Sequence, residues 1–360
     1  MTDGQPIGIS LFSGAGGLDV GFERAGFKTV FANELDHDAA NAWRANRPGN
    51  ADAMVEGDIL KHLEDLKPYA GKADIVFGGP PCQGFSVAGK MNPDDPRSAL
   101  IWAFLDVVEI VRPKVFLIEN VAALARLAKW EGVRQGITNR ARELGYDITY
   151  RIHLASDYGV PEKRERVMFV GVRNDIGIAK SVYDALDAYR KKPKSLREVL
   201  LSVGRFGSNA NPATCTAKVS LAATPVMRKS PYAGMLVNGA GRPMELDAAA
   251  PTLPATMGGN KTPIVDQRAL ENPGEENWFV GYHRRLTEGI ITPGEEVIPS
   301  FIRRLTINEA AAVQTFPAGY IFGGAKTKQY KQIGNAVPCG LAEAMARAIH
   351  DSFFSSSACL

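Results

Sequence analysis

The chain has 360 residues, of which 45% are hydrophobic and 22% charged, and a formal net charge of +3. This composition is ordinary for a soluble globular protein, and no apolar stretch reaches the roughly 18 residues that a membrane helix needs. The cysteines Cys82, Cys215, Cys339 and Cys359 lie far apart and form no CxxC pair. Their spacing argues against a zinc site and a disulfide framework, so we predict a reduced cytosolic protein without a signal peptide or a metal.

Apolar runs and helical segments alternate through the first half of the chain. Strands are predicted at residues 7–11, 29–33, 74–77, 115–118, 148–154 and 167–172, and helices at 17–25, 37–46 and 98–111. This alternation predicts an α/β fold with a doubly wound, mostly parallel sheet covered by helices on both faces. In such sheets ligands bind beyond the carboxyl ends of the strands.

The alternation ends near Lys191. From there to about Ser300 the chain is rich in Gly, Pro, Thr and Asn, which predicts an irregular second domain with short strands, and helices are predicted again at 306–314 and 340–350. Between Arg190 and Lys229, nine Lys or Arg residues stand against one acid, Glu198. Such a block suits a phosphate backbone, although it could equally be a solvated surface stretch.

A glycine-rich segment, Phe12-Ser13-Gly14-Ala15-Gly16-Gly17-Leu18, follows the first predicted strand and opens a helix. Glycines let the backbone turn tightly and approach a ligand closely. Glu34, followed by Leu35, ends the second strand about 20 residues later, where an acid can bind ribose hydroxyls. Asp58, followed by Ile59, comes after a further predicted strand, the third in chain order, and could accept a hydrogen bond from an adenine amino group. The pattern alone fits NAD, FAD, S-adenosylmethionine or a structural turn, and its GxGG spacing weakens the dinucleotide interpretation.

The most specific stretch of the sequence is Gly78-Gly79-Pro80-Pro81-Cys82-Gln83-Gly84-Phe85-Ser86. It places Cys82 at the mouth of the fourth predicted strand, beside the predicted cofactor crevice, and the two prolines stiffen the approach. A lone cysteine is often only a small buried hydrophobe. Here the flanking residues hold it on a turn, which favours a nucleophile.

Three charged residues are predicted to accompany this cysteine. Glu119 ends the fifth strand, next to the fourth, where burial would disfavour its charged form; taken alone it could equally cap the next helix. Arg164 and Arg166 alternate along an extended segment and therefore share one face. They could converge on Cys82 and bind a substrate carbonyl, or they could belong to a surface charge run.

Taken in order, these elements resemble the cytosine-C5 DNA methyltransferases of bacterial restriction-modification systems. The resemblance covers residues 7 to about 172 and 301 to about 348, and it continues in Arg304-Leu305-Thr306, Gln314-Thr315-Phe316-Pro317 and Gln332-Ile333-Gly334-Asn335-Ala336-Val337-Pro338. It implies a Rossmann-like methyltransferase fold that binds S-adenosylmethionine. The cofactor residues it implies are Phe12, Ser13, Gly14, Gly16, Gly17, Leu18, Glu34, Leu35, Asp58, Ile59, Pro80, Asn335 and Val337.

The resemblance also implies the chemistry. The Cys82 thiolate adds to carbon 6 of a flipped-out cytosine and makes carbon 5 nucleophilic toward the methyl group of the cofactor. Glu119 binds N3 and the exocyclic amine, while Arg164, with Arg166 beside it, binds O2 and helps to keep Cys82 ionised. The base that removes the carbon-5 proton cannot be identified from the sequence.

The resemblance divides the chain into a catalytic domain over 1–189, completed by 325–360, a target-recognition domain over 190–300 and a hinge over 301–324. The expected partner is double-stranded DNA, bound by a cytoplasmic, nucleoid-associated monomer, and a restriction endonuclease acting on the same site would fit this class. DNA contacts are predicted for Gln83, Ser86, Lys90, Arg97, Thr252, Asn260 and Lys261. The last three lie in a Gly-Gly segment whose side chains can bond base edges.

Two positions depart from the family pattern: Glu162 stands where Gln is usual, and Cys339 replaces the second proline after Asn335. Glu162 leaves one supporting hydrogen bond in doubt. Alternatives are a tRNA cytosine-5 methyltransferase, a NAD-dependent oxidoreductase and a non-catalytic DNA-binding relative. The long basic insert argues against the tRNA enzyme, and the missing GxGxxG argues against the oxidoreductase. The intact Cys82, Glu119 and Arg164 argue against the non-catalytic relative. Amino-group methylation would need an Asn or Asp before Pro-Pro-aromatic, which is absent.

Overall fold

The computed structural model describes residues 4–81 and 100–355. The chain divides into two compact units. Unit 1 comprises Met1–Gly159, Glu165–Lys192 and Ala336–Leu360, and unit 2 comprises Val160–Arg164 and Pro193–Asn335. The segment predicted as a hinge, 301–324, therefore lies within unit 2, as do residues 325–335. No helix within the described residues is long and apolar enough to cross a membrane.

Unit 1 is built on a seven-stranded sheet. Its strands are β1 (Ile7–Leu11), β2 (Lys28–Glu34), β3 (Met54–Glu56), β4 (Ile75–Gly78), β5 (Val115–Val121), β6 (Tyr146–Leu154) and β8 (Glu165–Arg173), while the short β7 (Glu162–Lys163) belongs to unit 2. The strand order is β3-β2-β1-β4-β5-β8-β6. All neighbouring pairs are parallel except those of β8, which runs antiparallel to β5 and β6. The predicted mostly parallel α/β sheet is confirmed.

Seven helices of unit 1 flank this sheet: α1 (Gly17–Arg24), α2 (His37–Ala45), α3 (Leu100–Val111), α4 (Ala122–Arg126), α5 (Glu131–Glu143), α6 (Lys180–Leu186) and α12 (Cys339–Phe353). Because strands of a covered parallel sheet have no solvent face, β4 is buried along its whole length. The α1 ring of Phe22 stacks on Phe77 of β4 with centroids 4.0 Å apart. α12 crosses α1 at a glycine, since a Cβ on Gly21 would lie 2.4 Å from that of Ala342.

The strand order reverses at β1, which is followed in the chain by β2 on one side and paired with β4 on the other. At such a switch point the two loops leaving the central strands diverge and open a crevice at their carboxyl ends. The glycine-rich segment leaves β1 at this edge, and Gly79-Pro80-Pro81 leaves β4. The fold therefore brings the two most specific motifs of the sequence to one edge.

Unit 2 is less irregular than predicted. Besides β7 it contains β9 (Leu221–Val226), β10 (Met235–Val237), β11 (Ala250–Pro251), β12 (Ile264–Asp266), β13 (Ile302–Arg304), α7 (Leu196–Val203), α8 (Gln267–Glu271), α9 (Trp278–Thr287), α10 (Ile307–Val313) and α11 (Lys326–Asn335). The predicted short strands between Lys191 and Ser300 are present, but α7, α8 and α9 were not predicted. α7 starts with a capping box in which Ser195 and Glu198 bond each other's main-chain N–H.

The β5–β8 pair generates a stability prediction. Gly171 of β8 faces Phe116 of β5, and a Cβ there would lie 2.0 Å from the Phe116 ring. We expect Gly171→Ala to destabilise the protein by about 1–3 kcal/mol, because the fully buried ring has no room to move. Gly132→Ala in α5, where a Cβ meets open space, is the control and should stabilise slightly. Thermal unfolding decides, and equal melting temperatures for the two variants would contradict the packing argument.

Candidate active site

The glycine-rich loop after β1 follows a backbone path that few residues adopt. Gly14 and Gly16 have φ of 56° and 89°, and Phe12, a non-glycine residue, has φ of 54°. A bulky residue in this left-handed region carries strain, which in proteins often marks a functional site. Gly17 allows the closest approach, because a Cβ there would lie 2.6 Å from the main-chain oxygen of Val337. The predicted cofactor residue Val337 therefore lies against the loop within unit 1.

Buried side chains hold this loop in place through a network of hydrogen bonds. The hydroxyl groups of Ser10 and Ser13 are 2.8 Å apart, and Ser10 donates to the buried carboxylate of Asp19 at 3.0 Å. The indole N–H of Trp43 donates to the other Asp19 oxygen at 2.9 Å. Burial raises the pKa of Asp19, against these hydrogen bonds and the charge of Arg47, which lower it. The sequence prediction missed Asp19, whose only signal is an acid in the first turn of α1.

Glu34 is the acid closest to the loop. Its carboxylate accepts hydrogen bonds from the main-chain N–H groups of Gly14, at 2.7 Å, and Asp36, at 2.8 Å. Burial raises the pKa of Glu34 in spite of these bonds, which lower it. A carboxylate oxygen has more than one lone pair, so Glu34 can hold the loop and accept a ligand hydroxyl. The next residue, Leu35, is an exposed apolar side chain with 71% of its surface accessible.

The remaining predicted cofactor residues take different positions. Asp58 follows β3, as predicted, and accepts a hydrogen bond from the N–H of Leu60 at 3.1 Å, while Ile59 is buried. Leu18 is buried in α1. Asn335 is exposed at the end of α11 and belongs to unit 2. Asn335 thus belongs to unit 2, whereas Val337 belongs to unit 1.

The segment that follows β4 is hydrogen-bonded to the end of β5. The Asn120 amide donates to the main-chain oxygen of Pro80 at 3.2 Å, and its own oxygen accepts from the N–H of Val121 at 2.9 Å. Gly79 is needed here, because a Cβ would lie 2.8 Å from Oε2 of Glu119. The chain therefore lies beside the Glu119 carboxylate at Gly79 and is hydrogen-bonded to β5 at Pro80. The predicted residues Cys82, Gln83, Ser86, Lys90 and Arg97 lie outside the described residues.

Glu119 is paired with Arg166. Their side chains are almost buried, and Oε1 of Glu119 lies 2.7 Å from Nε of Arg166. The contact follows from the register of β5 and β8, in which Arg166 faces Val121 at the carboxyl end of β5. A guanidinium at this distance forms a strong charge-assisted hydrogen bond with a carboxylate. One carboxylate oxygen and its orientation are thus fixed by a permanent cation.

Arg164 lies two residues earlier but belongs to unit 2. Its buried guanidinium donates to the main-chain oxygens of Leu253, at 3.1 Å, and Gly334, at 2.6 Å. Glu162 accepts from the N–H of Leu253 at 2.5 Å and lies 3.6 Å from the Arg164 guanidinium. Glu162 therefore bonds the main chain of Leu253 and forms a buried ion pair with Arg164.

The segment that contains the predicted base-reading residues is held by Arg304. This buried guanidinium donates to the main-chain oxygens of Asn260, at 3.2 Å, and Thr262, at 2.8 Å, and to that of Ala217 at 3.0 Å. Burial lowers the pKa of Arg304. The predicted contacts Thr252, Asn260 and Lys261 are all exposed, although Thr252 donates to the main-chain oxygen of Lys163 at 3.0 Å. The second departure from the family pattern, Cys339, is buried, and its burial raises the thiol pKa to about 12.

Two arginines of the basic block, Arg190 and Arg197, form ion pairs within their own units. In unit 1 Arg190 pairs with Asp157 at 2.8 Å and with Asp187 at 3.1 Å. In unit 2 Arg197 pairs with Asp247 at 2.6 Å and donates to main-chain oxygens of α8. These two arginines hold protein segments together, whereas Lys191, Lys192 and Lys194 are exposed. Within residues 4–81 and 100–355, no cluster of His, Cys, Asp or Glu has the arrangement of a metal site.

Comparison with solved structures identifies the class of fold. The chain matches a methyltransferase encoded within an E. coli prophage with a TM-score of 0.66 and 24% identity, over 96% of this chain and 99% of that one. It matches the Dnmt2 methyltransferase of S. pombe with a TM-score of 0.62 and 15% identity, over 97% and 98%. Both likenesses show a Rossmann-like methyltransferase fold, as the sequence predicted.

Sequence comparison identifies the family. The chain is 35% identical over 354 residues to the Type II methyltransferase M.PspPI of Psychrobacter sp. (strain TA137), covering 95% of this chain and 78% of the relative. It is 31% identical over 353 residues to M1.HphI of Haemophilus parahaemolyticus, covering 95% and 86%. The family model of C-5 cytosine-specific DNA methylases matches residues 8–351. The chain therefore belongs to this family and is a DNA (cytosine-5-)-methyltransferase, which confirms the predicted resemblance.

Proposed function

We propose that this methyltransferase transfers a methyl group from S-adenosylmethionine to carbon 5 of a flipped-out cytosine in a specific duplex sequence, through a covalent bond between Cys82 and carbon 6. One observation carries the proposal. Asn120 holds the main chain of Pro80 to the carboxyl end of β5, beside the Glu119–Arg166 pair. Cys82 follows two residues later in the sequence, and a thiolate is the nucleophile that this chemistry needs.

The residues around the β1 loop suit S-adenosylmethionine. A Cβ on Gly14 would meet open space, so a ligand can approach the backbone there. Glu34 offers a carboxylate for ribose hydroxyls, Asp58 an acceptor for an adenine amino group, and exposed Leu35 an apolar surface for a base. When bound, the cofactor supplies an electrophilic methyl group. The protein's part is to orient that group toward the crevice between the loops that leave β1 and β4.

Glu119 and Arg164 bind different edges of the cytosine ring in this proposal. Glu119 binds the N3 side of cytosine, with its carboxylate oriented by Arg166. Arg164 places a charge toward the ring O2, and its orientation is fixed by Glu162 and the main-chain oxygen of Leu253. Fixed charges of this kind stabilise developing charge in a transition state without reorganising. The cytosine must leave the helix stack to reach them, which costs a few kcal/mol.

Unit 2 is proposed to be the target-recognition domain and unit 1 the catalytic domain. The Type II relatives act in restriction-modification, and we extend this role to the present chain. Methylation of its site would protect cellular DNA from an endonuclease that cuts the same sequence. We also propose that the protein acts on DNA as a monomer, since a cytosine is methylated by one catalytic set.

The first test concerns Cys82. Expression of the wild-type protein in cells without cytosine methylation should produce 5-methylcytosine in one sequence motif, read by bisulfite sequencing, and Cys82→Ser should produce none. Duplexes with 5-fluorocytosine should trap a covalent adduct with the wild type, because fluorine cannot leave as a proton does. Cys215→Ser is the matched control. Methylation by Cys82→Ser at the normal rate, or the absence of an adduct after denaturing electrophoresis, would refute the covalent mechanism.

The second test concerns the cofactor. Glu34→Ala and Asp58→Ala should each weaken S-adenosylmethionine binding by roughly 1–3 kcal/mol, the cost of leaving a buried polar group without its partner. Glu64→Ala and Asp52→Ala replace exposed acids of the same types and should leave the affinity unchanged. Calorimetry measures all four variants. If the affinity is the same in every one, neither Glu34 nor Asp58 belongs to the pocket.

The third test concerns sequence choice. Asn260, Lys261 and Thr252 can hydrogen-bond base edges in the major groove, and the Arg304 contacts fix the main chain that presents Asn260 and Lys261. Their replacement by alanine should relax or change the methylated motif. Thr256, an exposed residue of the same segment, is the control position. Methylation sequencing that shows an unchanged motif with all three residues replaced would remove the recognition assignment and leave the catalytic one intact.

A further inference from the structure

Helix α11 carries a strongly positive surface. Over Lys326–Asn335 it contains three lysines, Lys326, Lys328 and Lys331, and no acid. All three lysines are exposed, whereas Tyr330 and Ile333 of the same helix are buried. The helix therefore presents an apolar side to unit 2 and a cationic side to solvent. Neither the sequence prediction nor the family motif around Gln332 assigned a role to these lysines.

Both ends of α11 rest directly on the segment that contains the predicted base-reading residues. Gly258, with φ of 109°, lies against the first turn, because a Cβ there would be 3.0 Å from Cα of Thr327. Gly334 lies against the other end of that segment, because a Cβ on it would be 2.6 Å from Cα of Ala255. Two glycines thus allow main-chain contact between α11 and residues 254–258.

Internal bonds keep the helix rigid in this position. The hydroxyl of Tyr330 donates to the main-chain oxygen of Leu305 at 2.6 Å. The amide of Gln332 both donates to and accepts from the main chain of Gly323, at 3.1 Å each. Arg164 donates to Gly334, at the end of the helix. The helix that carries the lysines and the base-reading segment are therefore joined within unit 2.

We propose that Lys326, Lys328 and Lys331 bind phosphates of the duplex beside the bases read by Asn260 and Lys261. Phosphate contacts fix the register of a protein on DNA, and base contacts specify the sequence. Helix α11 is cationic and contacts the main chain of the base-reading segment. It can therefore supply phosphate contacts next to the base contacts. This inference rests on the proposed function of unit 2 as the DNA-recognition domain, and it assigns that domain's backbone contacts to α11.

The test is the salt dependence of DNA binding by the full-length protein. Each phosphate neutralised contributes about 0.9 to the slope of log affinity against log salt. The triple variant Lys326→Gln, Lys328→Gln, Lys331→Gln should lower the slope by about 2–3, and each single variant by about 1. The loss should be the same for a duplex with the methylated motif and for a scrambled one. The methylated motif and the affinity for S-adenosylmethionine should not change.

A second triple variant controls for net charge. Lys28, Lys67 and Lys72 are exposed lysines of unit 1, and Lys28 and Lys72 lie at the amino ends of β2 and β4. Their replacement by glutamine removes the same charge and should leave the slope unchanged. A third variant with Lys191, Lys192 and Lys194 replaced shows how much of the slope the basic block contributes. If the α11 variants keep the wild-type slope, or lose binding to transfer RNA but not to duplex DNA, the proposal is wrong.

Failure of the role of α11 and failure of the proposed function give different results. A wild-type protein that produces no 5-methylcytosine would refute the proposed function, whatever α11 does. A wild type that methylates DNA, combined with α11 variants of unchanged slope, would refute only the role of the helix. The single variants keep the test valid if the triple variant folds poorly, because each removes the charge of only one exposed lysine.

Discussion

The reversal of one strand determines the geometry of the catalytic edge. In a wholly parallel sheet the first residues of a strand lie at the edge opposite the ligand, but β8 runs antiparallel to β5. Its first residues therefore reach the carboxyl edge, where Arg166 meets Glu119 at 2.7 Å. An ion pair with little exposure to water is strong and directional, since its partners are no longer screened by solvent. The orientation of Glu119 depends on this reversal.

Unit 2 combines an apolar cluster, which includes Leu236, Ile264 and Phe279, with a buried arginine. Arg304 donates to the main-chain oxygens of Ala217 and Thr262 and to the side-chain oxygen of Asn238, which supplies hydrogen bonds that a loop cannot make by itself. Removal of such a donor leaves buried carbonyl groups without partners, which is costly. Recognition loops can thus vary in their exposed side chains while their main chain stays fixed.

The sequence predicted the parts of the fold that depend on local pattern. The strand ends carrying Glu34, Asp58 and Glu119 follow apolar runs, and the carboxyl ends of such strands meet at one edge by geometry alone. Helix α7 could have been found from its capping pair Ser195 and Glu198, but the surrounding Gly and Pro content outweighed that signal. The bonds of Arg304, and the pairing of Arg197 with Asp247, join residues tens of positions apart. No local pattern contains such partners, so the sequence alone assigned these arginines to other roles.

The contact of α12 with α1 has a consequence for the order of synthesis. α1 ends at Arg24, whereas the helix that packs on its Gly21 begins at Cys339, near the other end of the chain. Unit 2 ends at Asn335, so every residue it needs has left the ribosome before unit 1 is complete. Domains generally fold as units while the chain emerges. The face of α1 that receives Ala342 therefore stays uncovered until the last helix arrives, and a chain that stops before α12 has every residue of unit 2 but an incomplete unit 1.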